Sequence, residues 1–227
     1  MKLCVALDNP SAKENLELAR KIKDYDVWLK VGFRSYIRDG KDFLNELKTI
    51  NPNFKIFLDL KLYDIPNTMA DAAHEICELG IDMFNVHASA GKVAMTTVMD
   101  RIKDVPNRPI VIAVTALTSF DNDNFKYIYN EDIDQKATKF AKDTFEAGMD
   151  GVVSSAFESL DIKNNTSKEF ITLCPGIRPF GEDAGDQQRV ADLNLAKKEL
   201  VDFIVVGRPI YKSSNPAEVV ERILKNI

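Results

Sequence analysis

The segment at residues 57–68, FLDLKLYDIPNT, concentrates charged side chains that could do chemistry. Its period-two pattern predicts a strand on which Asp59 and Lys61 share one face, while the leucines share the other face and pack beneath helices. Asp64 follows on a turn, because Pro66 biases the residue before it away from helical backbone and is well suited to begin a helix. The segment therefore presents a carboxylate and an ammonium group side by side, with a second carboxylate just beyond them.

A further lysine, Lys30, lies in the apolar run 27–32. Placed on a neighbouring strand, it completes an array in which two lysines alternate with two carboxylates, Asp59 and Asp64. Such an array is nearly neutral and holds each side chain rigidly. It can press a carboxylate against an anionic substrate while it aims an ammonium group at developing negative charge.

A second group of residues is suited to binding an anion. Gly207 ends the apolar run 202–207 and lets its backbone N–H approach an anion closely, and Arg208 supplies a planar fork of donors that fits phosphate. Residues 176–188 are rich in Gly and Asp and lack periodicity, and a loop of this length in a compact domain is usually a lid. The alternative to an anion site at Gly207 and Arg208 is a glycine turn beside a surface arginine. The alternative to a lid is a disordered surface segment at 180–185.

Eight short apolar runs alternate with longer amphipathic stretches along the chain. Strands that alternate with helices pair in parallel, and eight such units close a barrel. The sequence therefore predicts an α/β fold, a (β/α)8 TIM barrel forming a single domain over residues 1–227, with an open doubly wound sheet as the alternative. Helices are predicted at 11–23, 66–79 and 135–147. The predicted strands are 3–8, 27–32, 54–61, 82–87, 110–116, 150–154, 169–174 and 202–207.

Catalytic groups in such barrels project from the carboxyl ends of the strands and from the loops that follow. The ionisable residues predicted there are Asp8, Lys30, Asp59, Lys61, His87 and Arg208. A charge inside a barrel mouth is costly unless it is paired or used, so the set is either a ring of ion pairs or a functional site.

Composition narrows the function classes. The chain has 227 residues, 45% of them hydrophobic, which is enough to bury a core. Its 30 Lys and Arg against 35 Asp and Glu give a net charge of -5, which argues against a large nucleic-acid footprint. The three cysteines form no C-x-x-C pair, and neither a signal peptide nor a membrane-spanning run is evident. We therefore expect a cytoplasmic protein that binds neither nucleic acid nor membrane.

The run D-x-K-x-x-D-I-P-N-T, together with LD after the first strand and K-V-G in the second, closely resembles the orotidine 5′-monophosphate decarboxylase family. The resemblance covers essentially the whole chain and includes LTS at 117–119, PGIRP at 175–179, DQQR at 186–189 and VVGRPI at 205–210. The D-x-K-x-x-D element alone is less specific, because related phosphosugar decarboxylases and synthases also carry it. The resemblance implies a homodimer that converts orotidine 5′-monophosphate to uridine 5′-monophosphate without a metal or cofactor.

The resemblance also implies a role for each member of the charged tetrad. Lys61 would stabilise the carbanion left at C6 when CO2 departs and would then protonate it, and Asp59 would lie beside the departing carboxylate. Lys30 and Asp64 would hold their neighbours in place. Asp64 and Thr68 would reach the site from the partner subunit.

The same resemblance implies a set of substrate-binding residues. Asp8 would accept hydrogen bonds from the ribose hydroxyls, Thr118 would contact the pyrimidine edge, and Gln187 would link base and phosphate. The phosphate would be bound by Arg178, Gly207 and Arg208.

Two other functions compete with this one. A magnesium-dependent phosphosugar lyase of the same superfamily would be expected to place a carboxylate where Lys30 stands, because a divalent cation needs hard oxygen ligands and an ammonium group repels it. A catalytically silent nucleotide-binding barrel would need the phosphate corner but not Asp59, Lys61 and Asp64 together. The intact array favours the decarboxylase over both.

Overall fold

The computed structural model describes residues 1–183, 185 and 188–227. Eight parallel strands form a closed barrel in chain order, and β8 pairs with β1 to complete the ring. The strands are Lys2–Ala6 (β1), Trp28–Gly32 (β2), Lys55–Leu62 (β3), Met83–His87 (β4), Ile110–Val114 (β5), Gly151–Val153 (β6), Ile171–Cys174 (β7) and Phe203–Val206 (β8). The predicted (β/α)8 TIM barrel is therefore confirmed, and the open doubly wound sheet is wrong.

Helices surround this barrel, and none within the described residues is long and apolar enough to cross a membrane. The α-helices are Ala12–Lys21 (α1), Phe33–Ile50 (α2, interrupted at Gly40), Pro66–Cys77 (α3), Lys92–Ile102 (α4), Asn122–Tyr129 (α5), Ile133–Glu146 (α6), Ser159–Asn165 (α7), Leu193–Lys198 (α8), Arg208–Tyr211 (α9) and Pro216–Leu224 (α10).

Local signals set the helix starts. Ser11 caps α1 in a reciprocal arrangement, in which its Oγ accepts a hydrogen bond from the Glu14 backbone N–H and the Glu14 carboxylate accepts one from the Ser11 N–H. Pro66 is the first residue of α3, as its fixed φ favours. The helix predicted at 135–147 begins two residues earlier, at Ile133.

The strands place alternate side chains inside and outside the barrel, as a period of two requires. Inward-facing apolar residues fill the barrel below its mouth, and the outward-facing set packs against the helices in the main core. On β3, Phe57 belongs to the interior cluster, whereas Leu58 is buried and Leu60 and Leu62 are partly buried in the outer core. The predicted assignment of the leucines to the outer face is confirmed, and Asp59 and Lys61 continue the inner face.

The strands end earlier than predicted at several carboxyl ends. β1 ends at Ala6 instead of residue 8, and β5 ends at Val114 instead of residue 116. Residues beyond these points leave the ladder and line the mouth of the barrel, Asp8 and Ala116 among them.

Candidate active site

A cleft of about 280 Å³ opens at the carboxyl ends of the strands. Its polar lining comes from loops and strand ends of β1, β2, β3, β5, β7 and β8, which is where function concentrates in such barrels. Among the residues that the structure describes, the predicted site residues that line it are Asp8, Lys30, Asp59, Lys61, Thr118, Arg178, Gly207 and Arg208.

Four of these side chains form a continuous row of alternating charge. Lys30 Nζ lies 3.2 Å from Asp8 Oδ1 and 3.5 Å from Asp59 Oδ2, so it bridges two carboxylates. Lys61 Nζ donates a 2.6 Å hydrogen bond to the other Asp59 oxygen, Oδ1. Each oxygen of Asp59 therefore faces a different ammonium group.

Burial and neighbouring charges shift the pKa values of Asp59 and Lys30 in opposite directions. Burial favours the neutral form of Asp59, but the ammonium groups of Lys30 and Lys61, with hydrogen bonds from Lys61 and Asn85, outweigh it and hold the pKa of the carboxyl below its ordinary value. Burial likewise lowers the pKa of Lys30, yet the carboxylates of Asp59 and Asp8 raise it above its ordinary value. Both groups therefore stay charged at neutral pH.

The backbone leaves room for Lys30 at Gly32. A β-carbon built at Gly32 would lie 3.1 Å from Lys30 Nζ, which is tighter than most such contacts, and 3.6 Å from Asp8 Oδ1, which is an ordinary van der Waals distance. The glycine of the K-V-G motif therefore lets the ammonium group sit against Asp8.

An irregularity in β3 brings Lys61 to the site. Leu58 pairs with Phe84 but Leu62 pairs with Val86, so three residues of β3, 59–61, face one residue of β4. Lys61 has a φ of 49°, in the left-handed region that side-chain-bearing residues seldom adopt.

The β4 residue opposite the irregularity is Asn85, which sequence reasoning missed. It is fully buried, accepts a 2.7 Å hydrogen bond from the Lys61 backbone N–H, and donates a 2.8 Å bond to Asp59 Oδ1. The available signal was its position. Asn85 lies two residues from Met83 and from His87, which makes it a polar residue on the inner face of a buried strand.

Asp64 and Thr68 do not join the row within one chain. Both are exposed, and they line a second depression beside the cleft. Asp64 Oδ1 accepts the N–H of Ile65 at 2.7 Å. Around them Tyr63 and Ile65 are exposed by 65% and 67%. One chain therefore assembles three of the four predicted tetrad residues, and the fourth lies on an apolar outer surface.

The predicted phosphate corner lies where β8 meets α9. Gly207 precedes the helix, Arg208 is its first residue, and Tyr211 in the same helix also lines the cleft. Gly185 packs so closely against Arg208 that a β-carbon there would collide with Nη1 of the guanidinium. A loop residue thus rests directly on the arginine that is expected to bind phosphate.

Arg178 contacts both the cleft and the loop that follows β7. It lines the cleft and is buried, but its Nε donates a 2.6 Å hydrogen bond to the Asp183 carbonyl and its Nη1 donates a 3.1 Å bond to the Ile177 carbonyl. Part of the guanidinium therefore stabilises the loop that carries Arg178.

Gln187 lies outside the described residues. The stem that follows it is tied to the barrel, because the Gln188 N–H donates a 3.1 Å hydrogen bond to the carbonyl of Thr118 and Arg189 forms an ion pair with the buried Glu158. Phe180 lies earlier in the same loop, and the Arg222 guanidinium of α10 stacks 3.6 Å from the centre of its ring.

His87 ends β4 beside the charged row. Its Nδ1 lies 2.7 Å from Ser89 Oγ, and its ring lies 5.8 Å from that of Tyr63. Burial, and secondarily the charge of Lys61, hold the pKa of His87 below its ordinary value. The imidazole is therefore neutral at neutral pH.

Comparison with known proteins identifies the family of this chain. The family model described as orotidine 5′-phosphate decarboxylase / HUMPS matches residues 1–223. The chain belongs to this family. Proteins named orotidine 5′-phosphate decarboxylase from Sulfurimonas denitrificans and Nitratiruptor sp. are 70% and 68% identical to it, and each match covers 100% of both chains. The family resemblance seen in the sequence is thereby confirmed.

A solved structure shows the same architecture. The crystal structure of orotidine 5′-phosphate decarboxylase from Lactobacillus acidophilus superposes with a TM-score of 0.86 at 31% identity, covering 99% of this chain and 98% of that chain. The two proteins therefore share the barrel fold over essentially their whole length.

Proposed function

We propose that this chain is an orotidine 5′-monophosphate decarboxylase in which the row Asp8–Lys30–Asp59–Lys61 performs the chemistry. The observation that carries the proposal is that Asp59 is held between two lysines at the bottom of the cleft. Relatives at about two thirds identity or above, aligned over their full length, carry the name of this enzyme. The reaction yields uridine 5′-monophosphate and CO2 and belongs to pyrimidine biosynthesis.

The difficulty of the reaction defines what the site must supply. Breaking the bond from C6 to the carboxylate leaves an electron pair in the plane of the pyrimidine ring, where no adjacent carbonyl can take it up. The protein must therefore stabilise a localised negative charge. A preorganised ammonium group in a site that excludes water does this with little reorganisation.

Lys61 is the group proposed for that task. Its Nζ is fixed by Asp59 and by the left-handed backbone at its own position, so it approaches C6 already oriented. As CO2 leaves, the ammonium group stabilises the carbanion and then transfers a proton to C6, which leaves neutral lysine to be reprotonated from solvent.

Asp59 is proposed to act on the departing carboxylate. Two unit charges about 4 Å apart at an effective dielectric near 20 interact by roughly 4 kcal/mol, and this repulsion is relieved when neutral CO2 forms. The lowered pKa of Asp59 keeps the group ionised for this purpose. Stabilisation of the carbanion remains the larger effect, because it acts directly on the charge that develops.

The remaining predicted residues bind the substrate. We place the ribose hydroxyls at Asp8, the pyrimidine edge at Thr118, and the phosphate at Gly207, Arg208 and Arg178, with Gln187 between base and phosphate. Asp8, Thr118, Arg178, Gly207 and Arg208 line the same cleft. Binding energy gained at the phosphate, far from C6, can then be used to close the loop over the site.

A homodimer with shared sites explains the position of Asp64 and Thr68. Both are exposed next to apolar residues that would be covered in a dimer, and Lys61 lines both the cleft and their depression. Asp64 of the second subunit would then complete the tetrad beside Lys61. We also propose a cytoplasmic location, which suits a chain whose three cysteines are free.

The magnesium-dependent phosphosugar lyase is the weaker candidate. In the cleft, the ammonium group of Lys30 already bridges Asp8 and Asp59, the two carboxylates that a divalent cation would use. An absorbance assay with orotidine 5′-monophosphate in the presence of a chelator tests the proposal. We expect full activity with the chelator, whereas activity that disappears and returns with magnesium would contradict it.

A further inference from the structure

Asn85 is linked to both catalytic residues of β3 by one side-chain amide. Its Oδ1 accepts a 2.7 Å hydrogen bond from the Lys61 backbone N–H, and its Nδ2 donates a 2.8 Å hydrogen bond to Asp59 Oδ1. A backbone N–H can only donate and an ionised carboxylate can only accept, so only one orientation of the amide satisfies both partners. The side chain is fully buried, so both hydrogen bonds are shielded from solvent.

The contact to Lys61 replaces a bond of the sheet. Because residues 59–61 face Asn85 alone across the β3–β4 irregularity, the amide oxygen of Asn85 serves as the acceptor for the Lys61 N–H. Lys61 holds a left-handed backbone conformation, and such conformations persist only where surrounding contacts fix them.

The contact to Asp59 fixes the plane of the carboxylate. Oδ1 receives hydrogen bonds from Lys61 Nζ and Asn85 Nδ2, and Oδ2 lies 3.5 Å from Lys30 Nζ. The two lysines alone would leave the carboxylate free to rotate toward either ammonium group. The third donor comes from a rigid strand and removes that freedom.

We propose that Asn85 is a positioning residue for the decarboxylation, holding the Asp59 carboxylate and the Lys61 backbone in their reactive arrangement. The inference rests on the proposed function of the cleft. Asparagine suits this position because aspartate has the same length without the donor, leucine has neither group, and glutamine is longer.

The test compares Asn85→Ala and Asn85→Asp with the parent enzyme. Asn85→Ala removes both contacts, whereas Asn85→Asp keeps an acceptor for the Lys61 N–H and sets a second carboxylate against Asp59. We expect kcat to fall at least about a hundredfold in both, because displacement of a reacting group by about 1 Å has a cost of this size. Binding of uridine 5′-monophosphate, measured by calorimetry, should stay within about threefold of the parent, because Asn85 does not line the cleft.

The pH profile of kcat/KM separates positioning from a general loss of structure. Lys30 and Lys61 flank Asp59, Asp8 lies beyond Lys30, and the buried Cys4 thiol interacts with the same charges. These groups are unchanged in the variants, so a shift reports the altered environment of Asp59. Its acidic limb should move to higher pH in both variants, and further in Asn85→Asp, where two carboxylates compete for one proton.

Thr172→Val is the matched control. Thr172 is a fully buried polar residue of β7 whose Oγ1 lies 2.8 Å from Ser159 Oγ, away from the cleft. It should lower the thermal midpoint while kcat and the pH profile stay those of the parent. Asn85 variants with kcat within about threefold of the parent and an unshifted profile would overturn the proposal, as would failure of both variants to fold. A parent without decarboxylase activity would instead overturn the function on which the inference rests.

Discussion

Asp59 and Lys61 are two positions apart on one strand, yet Lys61 Nζ donates a 2.6 Å hydrogen bond to Asp59 Oδ1. On a regular strand, residues two positions apart point their side chains toward the same face of the sheet. The ladder of hydrogen bonds keeps these side chains roughly parallel to each other. Here the ladder is interrupted between them and Lys61 adopts a φ of 49°. The irregularity folds the lysine toward its own neighbour and makes the two residues one hydrogen-bonded pair in the cleft.

Replacing Lys61 by alanine should affect the chemical step far more than binding. We expect kcat to fall by about a thousandfold or more, because in the proposed mechanism the ammonium group both stabilises the carbanion and supplies the proton. Steady-state kinetics together with product-binding measurements check this. Lys55→Ala is a suitable control, since Lys55 lies on the same strand and pairs with Asp82 outside the cleft. A Lys61→Ala enzyme that keeps its kcat and loses only affinity would contradict the assigned role.

Replacing Arg208 by alanine should weaken recognition of the phosphate. Loss of a fork of charged hydrogen bonds should lower kcat/KM for the phosphorylated substrate about a hundredfold, with partial rescue by added guanidinium ion. Orotidine, which lacks the phosphate, provides the internal control and should be turned over equally by both enzymes. Equal loss for both substrates would place the phosphate elsewhere.

Gly185 and Gly181 offer a matched pair in the loop over the phosphate corner. Both have positive φ, 65° and 83°, so alanine at either strains the backbone, but only at Gly185 would the new β-carbon collide with Arg208. Gly185→Ala should raise KM about tenfold, whereas Gly181→Ala should leave KM near that of the parent and cost about 1 kcal/mol in stability. Equal kinetics in the two variants would show that the loop does not rest on Arg208 during turnover.

The charge on Asp59 should also be visible in stability. Its folded-state pKa lies below the ordinary value of 3.8, so ionised Asp59 stabilises the folded protein above that pH, and this contribution is lost as pH falls through the lowered folded-state pKa. The difference in unfolding free energy between the parent and Asp59→Asn should therefore shrink under acid. Urea unfolding at about pH 7, 5 and 3 measures it. A difference that grows toward low pH would show that burial, which raises the pKa of Asp59, has a larger effect than the two lysines, which lower it.

Shared active sites predict complementation between inactive chains. If Asp59 acts in its own chain and Asp64 reaches across, a mixed dimer of Asp59→Ala and Asp64→Ala has one site with both lesions and one with neither. Random reassortment makes about half of the dimers mixed, so about a quarter of all sites should be intact. Dissociating and reassembling the two variants should restore roughly a quarter of parent activity. The absence of recovery, with mixed dimers shown by mass spectrometry, would place Asp64 in its own chain's site.

The residue pattern alone predicts the alternation of strands and helices, and from it the barrel. It also predicts which end of the barrel carries the charged residues and that Asp59 and Lys61 share the inner face. These features depend on period-two and helical patterns and on Gly and Pro positions, which are local properties of the chain. The charged residues at the strand ends were found for the same reason, since a charge within an apolar run stands out without knowledge of its partners.

The contacts among these groups depend on the packing of the folded chain. The bond from Lys61 to Asp59 depends on the β3–β4 register, which joins residues more than 20 positions apart. Asn85 contacts both residues only because that register shifts opposite it. The residue pattern around Asp64 placed it on a turn beside the array, whereas the structure shows it exposed outside the row. Register and exposure are set by the packing of distant elements, so the residue pattern places a side chain on a face but does not fix what it meets there.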